Sequence, residues 1–157
     1  MRVLLVSTFE RMGGAAVAAS RLGAALRADG VEVQMLVRDK QTDRPWVVAL
    51  DKTHKHKLHF LWERFCIWAS NRFSRENLFS VSSANTGTDI TRLPAFKQAD
   101  LIHLHWINQG MLSLDNVTEI IRSGKPVVWT MHDMWNASGI CHHARECDHY
   151  FTQACRD

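Results

Sequence analysis

No stretch of this chain approaches the roughly eighteen consecutive apolar residues that a membrane-spanning helix needs, so no span is expected. The opening Met1-Arg2-Val3-Leu4-Leu5-Val6-Ser7 is too short an apolar run for a secretory leader and leads straight into structured sequence. Internal repeats, low-complexity tracts and an interdomain linker are all missing, which leaves one domain over residues 1–157. Cysteine is sparse. Four cysteines without an export signal argue for free thiols or metal before disulfides. The nicotinamide fingerprint G-x-G-x-x-G is absent, and no acidic residue is expected to end the second strand, since Asp39 lies two residues past Val37. A nicotinamide-binding domain is thereby disfavoured. The expectation is a cytoplasmic chain. Its formal charge of +3 fits phosphate-bearing ligands or anionic lipid surfaces, and nothing marks nucleic acid as a partner.

What is present is a globular composition, 46% hydrophobic over 157 residues, enough for a real core. Val3 to Val6 reads as a first strand, and Ser7 to Gly14 as a glycine-bearing loop. Ala15 to Asp29 reads as a helix with Val17, Leu22, Ala25 and Leu26 near helical spacing. Gly30 ends that helix, and Val31 to Val37 is a second strand. This order opens a doubly wound α/β fold: a Rossmann-like parallel sheet with helices on both faces. Trp46 to Leu50 is a candidate third strand. Ala99 to Trp106 and Val127 to Met131 are further strands, separated by a helix from Met111 to Ser123. Asp89 is expected to cap a short turn before Pro94, within a loop-rich stretch that begins at Phe79.

Two of the strands end in histidine: Leu101-Ile102-His103-Leu104-His105-Trp106 and Val127-Val128-Trp129-Thr130-Met131-His132-Asp133-Met134-Trp135. Ligands of open α/β sheets sit beyond the carboxyl ends of the strands, so both histidine ends point at one site. His103 and His105 share a face by strand alternation. His103, in mid-strand, is expected to be structural. His105, Trp106 and Asn108 stand where the strand opens into a loop and suit a sugar-like ligand. His132 beside Asp133 suits acid–base work or orientation of a hydroxyl; a plain cap role for Asp133 is the alternative, weakened by two such sites at adjacent strand ends. Gly13 and Gly14 precede the first helix, where backbone N–H groups can approach a phosphate, although a plain tight turn explains them as well.

Several segments together resemble the N-terminal domain of family-4-like bacterial glycosyltransferases. They are Gly13-Gly14-Ala15-Ala16, Val37-Arg38-Asp39-Lys40, Asn85-Thr86-Gly87 with Asp89-Ile90, Asp100 through Gly110, and Val127 through Cys147. Asn136 stands where the similar subgroup usually has proline. The resemblance implies the N-terminal half of a GT-B fold, an acceptor-side domain over residues 1–157. The nucleotide-sugar-binding C-terminal domain, with its acidic motif, is absent from this chain. It implies transfer of a hexose from a nucleotide-diphosphate sugar to a glycan or lipid-linked acceptor in polysaccharide biosynthesis, with retention and no cofactor or catalytic metal. It implies that the chain alone is inactive. It places His132 at the catalytic position and Gly13 and Gly14 near the donor diphosphate. It sets His105, Asn108, Asp133 and Trp135 along the acceptor side. The alternatives are a noncatalytic sugar- or nucleotide-binding module and a metal-stabilised interaction domain.

The metal alternative rests on Cys141, Cys147 and Cys155 beside His142, His143 and His149. Their spacing matches no common zinc motif, four ligands are usual, and no metal is expected. Residues 56–74 form an amphipathic helix with Leu58, Leu61, Trp62, Phe65, Ala69 and Phe73 in one stripe and Lys52, Lys55, Lys57, Arg64, Arg72 and Arg75 around it. The stripe is expected to pack on the sheet with the basic residues as its solvated face. The rival is a basic helix lying on a membrane, which would make the protein peripheral to the inner membrane. Trp68 lies off the stripe.

Overall fold

The computed structural model describes residues 1–50 and 55–143. The elements are β1 (Arg2–Phe9), α1 (Gly14–Ala28), β2 (Glu32–Asp39), β3 (Val47–Ala49), α2 (Lys55–Ser70), α3 (Pro94–Gln98), β4 (Leu101–Leu104), α4 (Leu114–Arg122), β5 (Val127–Trp129) and α5 (Trp135–Ser138). The strands form one sheet in the order β3-β2-β1-β4-β5, every pair parallel. That is the expected Rossmann-like sheet, and the candidate third strand is in it.

Strand alternation builds two cores. Leu4, Val6, Leu36, Ile102 and Leu104 face α3 and α4, with Phe96, Val117 and Ile120 supplied by those helices. Val3, Leu5, Val33, Met35 and Val37 face α1. Helices therefore cover both faces, and the strands read as unbroken apolar runs for that reason. α1 differs from expectation in the face that it buries. Its buried residues are Ala16, Ala19, Ser20 and Gly23, not the larger Val17, Leu22 and Leu26. Small residues let the helix approach closely: a Cβ on Gly23 would stand 2.9 Å from the Leu5 side chain.

β2 runs to Asp39, so an acidic residue does end it, contrary to the sequence expectation. The Asp39 carboxylate is taken by its neighbour Arg38, 2.8 Å away. α3 is an element without periodic signal, and Asp89 makes the turn before it by accepting from Thr91 N at 2.9 Å. α4 starts later than expected because Ser113 caps it, with a reciprocal bond from the Ser113 N–H to Asn116.

The largest correction concerns α2. Its apolar stripe does not pack on the sheet: Leu58, Leu61, Trp62, Phe65 and Phe73 are all 50–65% exposed. The sheet face is already filled by Ile90, Phe96, Ile107, Met111 and Leu112. α2 lies on loops instead and turns a polar edge inward. Glu63 and Arg64 are buried and paired at 3.1 Å. Glu63 accepts from Ala84 N at 3.0 Å, and Arg64 donates to the carbonyls of Leu78 and Val81. The helix stops at Ser70, short of residue 74, because Arg72 and Phe73 enter the left-handed region at φ 50° and 65°.

Two glycines make the loop contacts feasible. Gly110, at φ 75°, faces α2 so closely that a Cβ would sit 2.8 Å from the backbone of His59 and Phe60. Gly87 lies against the backbone of Leu112 and Ser113, which a Cβ would overlap. Backbone cannot yield as a side-chain tip can. Gly87→Ala is therefore expected to cost about 3 kcal/mol in urea unfolding, with an unchanged value indicating that the loop simply shifts.

Candidate active site at the carboxyl edge of the sheet

β1 and β4 are neighbours, but α1 leaves β1 over one face while the chain entering β4 comes from α3 on the other. Their carboxyl ends diverge at this switch point and open a crevice. A cleft of about 270 Å³ lies there, lined by Phe9, Gly13, Gly14, Trp106, His132 and Asp133 among others. Five of the expected site residues thus meet in one place: Gly13, Gly14, Trp106, His132 and Asp133.

Gly13 caps α1 at φ 86° and ψ 164°, a conformation open to glycine. It offers no capping side chain, and the first turn of α1 holds no acidic residue. The first N–H groups of the helix are left without a side-chain acceptor at the positive end of its dipole. An added Cβ on Gly14 would meet nothing within 4 Å, so the space above this turn is open.

The histidines form a column. The His103 and His105 rings stack at 4.3 Å between centroids, and His105 and His132 at 5.2 Å. His105 Nδ1 and His132 Nε2 are 2.9 Å apart, one donating and the other accepting. His103 bonds the Thr130 hydroxyl at 2.8 Å. His105 is buried behind His132 and does not line the cleft. Burial, then the neighbouring imidazoles His103 and His132, pull its pKa down to about 3. Burial also lowers His132 against the opposing pull of Asp133. The column is neutral at pH 7, and His132, its Nε2 engaged by His105, has Nδ1 left for a ligand as either donor or acceptor.

Asp133 is surrounded by donors: His142 Nδ1 at 2.6 Å, Trp106 Nε1 at 2.9 Å and Trp135 N at 3.0 Å. Burial raises its pKa, but these donors outweigh burial and hold it below the usual carboxylate range. Asp133 therefore fixes the wall of the cleft and starts α5 in one move. Asn108 is buried beneath the site, its carbonyl accepting from Thr8 Oγ1 at 2.9 Å. Trp135 is buried away from the cleft, and its indole N–H donates to Ser82 O at 2.8 Å. Among the described residues the Asn108 amide nitrogen, His105 Nε2 and Ser7 Oγ are buried without a hydrogen-bond partner.

His142, named with the metal alternative, bridges Asp133 and Ser82, whose Oγ lies 3.0 Å from its Nε2. No local signal marks Ser82, because its partner is 60 residues away. Phe9, which stacks on Trp106 at 5.9 Å, was also not singled out, being an apolar strand residue by pattern. Cys147, Cys155, His149 and Lys52 lie outside the described residues. Among the described residues no group of three or more His, Cys, Asp or Glu is arranged to hold a metal ion, and no helix is long and apolar enough to cross a membrane.

A Rossmann-like sheet with a glycine turn and a histidine-tipped strand facing one switch-point cleft defines an α/β domain of the doubly wound class. The chain belongs to Glycosyltransferase Family 4, whose family profile matches residues 12–156, and it is a glycosyltransferase-type domain. No curated protein and no solved structure matches it significantly.

The histidine column has a measurable consequence. His105 stays neutral in the folded chain, while unfolded histidine takes a proton below about pH 6.5. Its stabilising contribution is full above that pH and is lost on acidification. Between pH 7 and pH 5 the loss is about 2 kcal/mol. His105→Gln should flatten the fall in unfolding free energy over this window by that amount. Parallel curves for the two proteins would show that His105 ionises freely in the fold.

Proposed function

We propose that this chain is the acceptor-side half of a retaining, metal-independent hexosyltransferase of polysaccharide biosynthesis. Its substrates are a nucleotide-diphosphate sugar and a glycan or lipid-linked acceptor, met at the cytoplasmic side of the membrane. The single observation that carries the reading is the cleft in which the N-terminus of α1 and the His132 end of the β5 strand face each other. A donor domain closing over it completes the site; the chain alone holds half of the cleft and does not turn over.

Each wall then has a task. The N–H groups at Gly13 and Gly14 receive the diphosphate, whose charge grows as the glycosidic bond breaks. Preorganised backbone donors do this without a metal ion. His132, neutral, hydrogen-bonds a hydroxyl of the transferred sugar. His105 is a positioning residue that fixes the ring of His132 from behind. Trp106, braced by Phe9 and by its bond to Asp133, presents a flat wall for a sugar ring. Asn108 and Trp135 hold the loops that carry these groups.

In the protein joined to its donor domain, His132→Ala should lower kcat about 100-fold while the protein stays folded, with only a modest fall in Tm from the lost bond to His105. Turnover should persist in EDTA. Wild-type kcat in that variant removes His132 from the site; donor binding with no transfer by the wild type makes the chain a noncatalytic sugar-binding module. Gly14→Ala should fold normally, since its Cβ meets nothing within 4 Å, yet raise the donor KM about tenfold by occupying the phosphate's space. An unchanged donor KM would place the diphosphate elsewhere.

A further inference from the structure

We propose that the outward face of α2 is a docking surface for an anionic lipid bilayer. Leu58, Leu61, Trp62 and Phe65 recur at helical spacing and are all exposed. The rings continue as a ladder: Trp62 to Phe65 at 5.9 Å, Phe65 to Trp68 at 6.1 Å, and Trp68 to Phe73 at 4.8 Å. A groove of about 610 Å³ runs along this face, with Leu58, Leu61, Trp62 and Phe65 as its apolar wall. Contiguous exposed apolar surface of this kind marks an interaction site.

Charge decides the occupant. Lys55 and Lys57 flank the stripe at its start, and Arg72 and Arg75 follow it, all exposed. Across residues 55–83 the acidic residues are Glu63, buried against Arg64, and Glu76. A second copy meeting this face would bring cation to cation. An anionic lipid surface meets it with opposite charge, while tryptophan and phenylalanine enter the headgroup boundary. The face also adjoins the cleft's own loops. Gly110 abuts the backbone of His59 and Phe60, and Arg38 donates to Gln109 O at 2.6 Å while lying 5.9 Å from the Phe60 ring. A bilayer seated on α2 therefore lies beside the carboxyl edge of the sheet, within reach of an acceptor anchored in it. Docking stands on α2 itself and needs no glycosyl transfer, so its failure leaves the proposed reaction intact.

The test is co-sedimentation of the 157-residue chain with vesicles. Binding to phosphatidylglycerol–phosphatidylcholine vesicles is expected, with little binding to phosphatidylcholine alone and weakening in about 0.5 M salt. Trp62→Ser with Phe65→Ser should reduce partitioning about tenfold or more, and Lys55→Glu with Lys57→Glu should abolish the preference for anionic lipid. Both pairs are exposed, and circular dichroism and Tm should stay at wild-type values. No sedimentation with anionic vesicles overturns the proposal, as does undiminished binding of the Trp62/Phe65 double variant. A concentration-dependent dimer that this variant abolishes, without vesicle binding, assigns the face to a second copy.

Discussion

β1 changes character along its length, and the site depends on that change. Val3 to Val6 are buried on both faces of the sheet and need only apolar neighbours. Ser7, Thr8 and Glu10 are equally buried but polar, and a buried polar group without a partner is costly. Thr8 finds the carbonyl of Asn108, in the loop after β4. Glu10 finds the backbone of Gln41 and Thr42, in the loop after β2, at 2.6 and 2.8 Å. Burial pushes the Glu10 carboxyl up, but these donors outweigh it and keep it ionised. Two loops at the carboxyl edge are thus ordered by the partners that Thr8 and Glu10 need. The glycine turn that follows β1 hangs from the same frame.

The second fixed element is the histidine column with Asp133 beside it. Burial keeps the three imidazoles neutral, and repulsion from the neighbouring rings adds to it at His103 and His105. Asp133, by contrast, keeps its charge because His142, Trp106 and Trp135 all donate to it. A charged carboxylate thereby lies next to a neutral imidazole, each held in its state by its surroundings and not by the other. That division lets Asp133 serve as a strut and leaves His132 available to a ligand.

The doubly wound sheet was legible because buried parallel strands have a plain signature of short apolar runs punctuated by glycine and polar turns. The glycine turn and the two histidine ends were legible for the same reason: strand ends are where the pattern breaks. The depth of each residue was not legible. His105 and His132 look alike in sequence, yet one is buried and the other lines the cleft, because β4 is an inner strand and β5 an edge of this sheet. His142 and Ser82 join Asp133 through contacts that depend on how residues 78–84 fold back, which no periodicity records. The extent of β2 was missed because Arg38 and Asp39 look like turn residues while the ladder pairs Phe9 with Asp39.

α2 shows where pattern misleads most. Amphipathic spacing says which residues share a face, not which way the face turns. Turning the stripe inward would gain apolar burial but would expel the Glu63–Arg64 pair from its loop contacts. That would take partners from the Ala84 N–H and from the carbonyls of Leu78 and Val81, at about 1–3 kcal/mol for each group left buried and unpaired. Arg64 and Glu63 also gather Leu78, Val81 and Ala84, the segment that carries Ser82 to Trp135 and His142. The polar face is therefore an anchor for the wall of the cleft, and it outcompetes the stripe for the interior. The apolar energy of Leu58, Leu61, Trp62 and Phe65 is left unspent by folding. It becomes available to whatever surface meets the helix, and the lysines and arginines around it select one that is negatively charged.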